Sequence, residues 1–136
     1  MRKIKKTFFI ENYTDSEVLR MENMCEVNEC FWFTSYHFNA LLKMNKSEYG
    51  VQYVCSFPKE ESKKRMYSSI LSYESKIYCI PLSANSIGIY DLKKGEAISI
   101  EIRKPSSFGN IIYNQDSKFF TGYLDNDYLY MFPHTY

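Results

Sequence analysis

Residues 21–45 can be laid over residues 67–91, 46 positions further on, without a gap, and this match constrains the fold more than any other feature. Apolar falls on apolar: Met24 on Ile70, Cys25 on Leu71, Phe31 on Ile77, Trp32 on Tyr78 and Leu41 on Ile87. Polar turn positions agree as well, with Asn28-Glu29 on Glu74-Ser75 and Asn39 on Asn85. Moved on by 52 positions, the template matches again over 119–133, with Tyr130 on Tyr78 and Pro133 on Pro81. A third copy therefore begins near Lys118. A period of about 40 to 50 residues is the spacing of propeller blades and of some helical repeats. Short runs rich in Tyr, Ile, Phe and Val, separated by polar turns, select strands.

The expected fold is therefore all-β, a partial β-propeller built from four-stranded antiparallel blades. A first blade occupies 18–57, with a strand ending at Cys25 and further strands over 30–36, 40–44 and 51–57. In the last of these Val51, Tyr53 and Cys55 alternate against Gln52, Val54 and Ser56 and so share one face. The charged connector PKEESKKR, 58–65, leads to a second blade over 66–102, with strands at 67–73, 77–82, 87–92 and 97–102. Gly95 supplies the positive φ of its last hairpin. After a second connector, 103–117, strands at 119–123 and 128–132 open an incomplete third blade over 118–136. A segment over 1–17 precedes the repeats; 6–10 and 110–113 are candidates for additional strands. Val18, Met21 and Met24 stand at helical spacing behind Ser16, a suitable cap, but the repeat assigns 21–25 to a strand.

Composition narrows the function classes. The 17 basic and 16 acidic side chains leave a net charge of +1, so no strong field for nucleic acid or an anionic membrane is expected. Aromatic residues make up 18% of the chain, which suits pleated, half-buried surfaces. No apolar run approaches a membrane span, and the basic start MRKIKKTFFIENY contains only Phe8-Phe9-Ile10 where a signal peptide needs about 7 to 15 apolar residues. A cytoplasmic protein is expected. Cys25, Cys30, Cys55 and Cys79 lack zinc-knuckle spacing, so buried free thiols are expected, with no metal and no cofactor.

The segments FWFTSYHFNALLKMN, FPKEESKKRMYSSI and IYCIPLSANSIGIYDL together resemble the uncharacterised bacterial β-propeller repeat proteins, which are Kelch-like in pattern. The resemblance covers about 18–133 and lacks the paired glycines of true Kelch repeats and the Trp-Asp ending of WD40 blades. It implies a ring of blades whose first strands line a central channel. Propellers close with four to eight blades, and two and a fraction are present here. A fragment of a larger propeller, a ring completed by self-association through exposed blade edges, and a marginally stable product all fit that count.

In such a ring the strand-two to strand-three corners and the connectors share one face around the channel mouth. That places His37, Asn39, Asn85, Glu60, Lys64 and Arg65 on a polar rim, the candidate ligand-binding residues. The two asparagines also have a plainer reason to recur, because Asn tolerates the left-handed conformation and caps turns. No G-x-S-x-G nucleophile motif is present, and Asp125-Asn126-Asp127 reads as a hairpin turn rather than a calcium loop. Glu60 has no acidic counterpart in the second connector, whose only acid is Asp116. The expected function is a non-catalytic binding module for a protein or carbohydrate, with Trp32 as the largest exposed contact. The alternative is part of a propeller enzyme acting on glycans or small molecules whose catalytic residues are mostly missing.

Overall fold

The computed structural model describes residues 20–48, 50–103 and 117–134. They form ten strands and, among the described residues, no helix. The first sheet contains β1 (Met21–Val27), β2 (Cys30–Ser35), β3 (Leu41–Asn45) and β4 (Val51–Cys55); the second contains β5 (Tyr67–Tyr73), β6 (Lys76–Pro81), β7 (Ser86–Asp91) and β8 (Glu96–Glu101). A third sheet pairs β9 (Phe119–Asp125) with β10 (Tyr128–Pro133). Strands within each sheet follow chain order and pair antiparallel, so every connection is to a neighbour.

The internal repeat is visible bond by bond. Tyr36 N donates to Arg20 O at 2.9 Å, Leu82 N to Met66 O at 2.8 Å and His134 N to Lys118 O at 3.1 Å, three copies of one contact at the offsets of the sequence match. The turn between strands three and two is tied in the same way, by Lys46 N to Glu29 O and Leu92 N to Ser75 O. Asn28, Glu74 and Asn126 open the three equivalent hairpins and take φ of 51°, 51° and 49°. Each first strand also carries a one-residue bulge near its start, at Asn23, Ser68 and Phe120. A bulge increases local twist and re-aims the side chains around it. Here it does so where β1, β5 and β9 run beside one another, because the sheets adjoin through their first strands.

Side-chain alternation decides what each joint contains. Cys25, Val27, Cys30, Trp32 and Leu41 of the first sheet face Ile70, Ile77, Cys79, Tyr90 and Ala97 of the second, with Phe57, Met66, Tyr67 and Ala84 closing the joint. The opposite face of the first sheet gathers Phe31, Phe33, Leu42, Met44 and Val51 with Phe38 and Ala40. On the far face of the second sheet the hairpin β9–β10 approaches so closely that a Cβ on Gly122 would meet Ile80 at 2.8 Å and Leu71 at 3.2 Å. Lys118 stands where the second repeat has Met66; it is 6% exposed and donates its ammonium to Ser83 O at 3.1 Å.

Several expectations need correction. Trp32 is 6% exposed and sits in the joint beside Tyr90, its indole N–H donating to Val27 O, so it is core rather than a surface contact. The strand expected over 51–57 ends at Cys55, and its register shifts between Leu41 and Leu42 so that Val54 bulges. Val51 therefore belongs to one face and Cys55 to the other, while Tyr53 is 39% exposed. The proposed extra strands at 6–10 and 110–113, and the helical reading of Ser16 and Val18, lie outside the described residues. All four thiols are free. Burial pushes Cys25 up to about 11 and Cys55 up to about 12, and raises Cys79 well above the ordinary thiol range. No helix among the described residues is long and apolar enough to cross a membrane.

Candidate binding cleft

A cleft of about 470 Å³ opens where the three first strands meet. Its walls repeat like the fold: Glu22 and Asn23 of β1, Ser68 and Ser69 of β5, and Phe120 and Thr121 of β9 occupy equivalent positions, and Leu82 and His134 are likewise equivalent. Arg65 and Tyr67 complete the lining. The bulges explain why these side chains converge, since each interrupts the alternation of a first strand at its cleft end.

Two lining residues hold the left-handed backbone, Asn23 at φ 54° and Arg65 at φ 53°. Such conformations persist where surrounding bonds over-determine them. Arg65 N donates to Tyr36 O at 2.8 Å, and Arg65 O accepts from the Ser83 hydroxyl at 3.1 Å. Asn23 Nδ2 donates to Tyr67 O at 3.1 Å, joining β1 to β5 between two lining residues. Ser69 Oγ accepts from Gly122 N at 3.2 Å and ties β5 to β9.

Charge enters through Glu22. Its carboxylate lies 3.9 Å from Arg65 Nε and 3.9 Å from Arg20 Nη2. Both arginines are more than half exposed, so each pair contributes at most about 0.2–1 kcal/mol and mainly orients the carboxylate. Arg20 also stacks 4.4 Å over the ring of Tyr36. Opposite, Phe120 is 66% exposed and lies 6.0 Å from the His134 ring, offering an aromatic surface at the mouth. The cleft thus offers hydroxyl and amide groups, one carboxylate backed by guanidinium groups, one imidazole and an open aromatic ring. Among the described residues no cluster of three or more His, Cys, Asp or Glu side chains could hold a metal ion.

Of the six rim residues expected from sequence, Arg65 lines this cleft and the other five lie elsewhere. Asn39 is 4% exposed and acts as a clamp: Nδ2 donates to Phe57 O at 2.8 Å and Glu60 O at 3.1 Å, and Oδ1 accepts from Phe57 N at 2.9 Å. Glu60 is thereby joined to Asn39 through its backbone; both its carboxylate oxygens and the Tyr67 hydroxyl are buried without a hydrogen-bond partner among the described residues. Burial raises the Tyr67 hydroxyl above the ordinary phenol range. His37 packs edge-on against Tyr36 at 4.9 Å, Lys64 is exposed with its carbonyl accepting from Ser83 Oγ, and Asn85 is exposed with its carbonyl accepting from Ile102 N.

The remaining lining residues escaped the sequence reading, although the repeat that located the strands also carries the signal for them. Positions two and three of each first strand are 22–23, 68–69 and 120–121, and stacking the copies brings those six residues together. Compared with family models, curated proteins and solved structures, the chain matches none.

Proposed function

We propose that this chain is a non-catalytic binding module of β-propeller type, its sheets forming blades of a larger ring, and that the cleft between the first strands takes a carbohydrate. The adjoining first strands and the thrice-repeated contact from strand two to strand one support the blade reading. The cleft's lining carries the ligand reading: Phe120 offers a ring face while Asn23, Ser68, Ser69, Thr121 and His134 supply polar groups. Sugars present an apolar ring face edged with hydroxyls, which such a mixture complements. Glycoside hydrolysis commonly uses two carboxylates flanking the scissile bond, and among the described residues Glu22 is the only carboxylate in the lining.

The test is a glycan array probed with the purified chain, followed by titration of a captured oligosaccharide against Phe120→Ala and Arg65→Ala variants. Binding without turnover, weakened at least tenfold in Phe120→Ala, is the expected result. Silence across the array, or turnover abolished by Glu22→Gln, would overturn the proposal.

A further inference from the structure

The second and third sheets meet over only half of the available surface. Strand pairing sets Ile98 beside Ile89 and Ile100 beside Ile87, in the rows that continue Leu71 and Tyr78 on the face carrying Ile80. The hairpin β9–β10 covers the β5–β6 half of that face, with Gly122 against Ile80 and Leu71. On the β8 side Ile98 is 51% exposed and Ile100 49%. The equivalent joint between the first and second sheets is filled, and the outer-strand residues Val54 and Cys55 are packed into its core. The open half is thus continuous with an interface already formed.

Beside that opening runs β10, YLYMFP, whose outer edge is unpaired among the described residues. It contains no charged residue, the usual protection of an edge strand. Asp125 pairs with Tyr128 across a two-residue turn, so alternation directs the N–H groups of Leu129 and Met131 toward the free edge. In the first two sheets the corresponding edge of strand two is occupied by strand three.

We infer that the β10 edge and the Ile98–Ile100 face form one docking surface for an extended β-hairpin with the apolar pattern of this chain's own third and fourth strands, which completes the third sheet to four strands. The donor strand adds antiparallel to β10, and its alternate apolar side chains bury Ile98 and Ile100. A second copy of this chain is a poor donor. Its four-stranded sheets already use their third and fourth strands, and antiparallel pairing of β10 with β10 would bring both copies of the second sheet to the same side of the joint. The inference depends on the third sheet alone and not on what the cleft binds.

The probe is a synthetic peptide of residues 86–101, SIGIYDLKKGEAISIE, the repeat's own third and fourth strands. It should bind the chain one to one, slow amide exchange at Leu129 and Met131 at least tenfold, and bind at least tenfold more weakly to Ile98→Asp/Ile100→Asp. Both isoleucines are half exposed, so that variant should fold; its unbound amide spectrum checks this. Four results would overturn the inference: no binding at millimolar peptide, binding without protection of β10, binding indifferent to the double variant, or Leu129 and Met131 amides already protected in the peptide-free chain. Light scattering on the free chain separates the last result into a self-paired dimer or an edge covered by the chain itself.

Discussion

The ring of Phe57 lies over the backbone of Gly88, so close that a methyl group on that Cα would come within 2.8 Å of the ring carbons Cδ1 and Cε1. Phe57 is 1% exposed and follows β4 of the first sheet, whereas Gly88 lies inside β7 of the second. Spacing between the two sheets is set here by the absence of a side chain. Gly88→Ala should cost about 1–3 kcal/mol through overpacking, measured by urea unfolding. The double variant Phe57→Leu/Gly88→Ala should lose less than the two single changes combined; strict additivity would locate the strain elsewhere.

Asn39 satisfies three backbone groups with one buried side chain, two on Phe57 and one on Glu60. It holds the connector that carries Phe57 into the joint. Asn39→Ala strands those groups and should cost about 2–4 kcal/mol, given about 1–3 kcal/mol for an unsatisfied buried polar group. Asn39→Asp keeps the acceptor for Phe57 N but loses the donor, and should fall between wild type and alanine in thermal unfolding.

Glu74 stands where the other two copies have Asn28 and Asn126, at φ 51°. A left-handed conformation costs an ordinary L-residue about 1–2 kcal/mol, and Asn tolerates it better. Glu74→Asn should raise stability by about 0.5–1 kcal/mol. The reverse change, Asn126→Glu, should lower it by a comparable amount, and denaturation of both variants checks the pair.

Burial favours the neutral thiol at Cys25 and Cys55, whose values rise from 9.0 to about 11 and about 12. Their contribution to stability is fully present below pH 9, where both folded and unfolded thiols are protonated. It is lost as pH climbs through the window from 9 to 12, because the unfolded thiols ionise first. Unfolding midpoints should therefore fall across that window and fall less in Cys25→Ala/Cys55→Ala, whose overall stability is lower at neutral pH. Alkylation of these two thiols by iodoacetamide at pH 8 should run at least tenfold slower in the native protein than in urea.

Strand positions were legible because hydrophobic pattern and turn residues repeat. Met21, Glu74 and Tyr128 stand in the elements that the 46- and 52-residue offsets assign them. Bulges were not legible, since an extra residue in a strand looks like any other member of it; hence the face of Cys55 was misread. Burial of Trp32 was hidden for a related reason. A large aromatic on a strand suits a joint and a binding surface equally, and only the position of the second sheet distinguishes them.

The sequence by itself determined an all-β chain, its antiparallel meanders and their repeat, because side-chain period and turn chemistry are local properties written residue by residue. Tertiary structure decided which faces meet and which side chains reach the cleft. Ser68, Phe120 and Glu22 are 46 and 52 positions apart in the chain, and they converge only because three bulged first strands lie side by side. That convergence depends on packing between sheets, in which the close approaches at Gly88 and Gly122 set the spacing, and such contacts have no signature within any single strand.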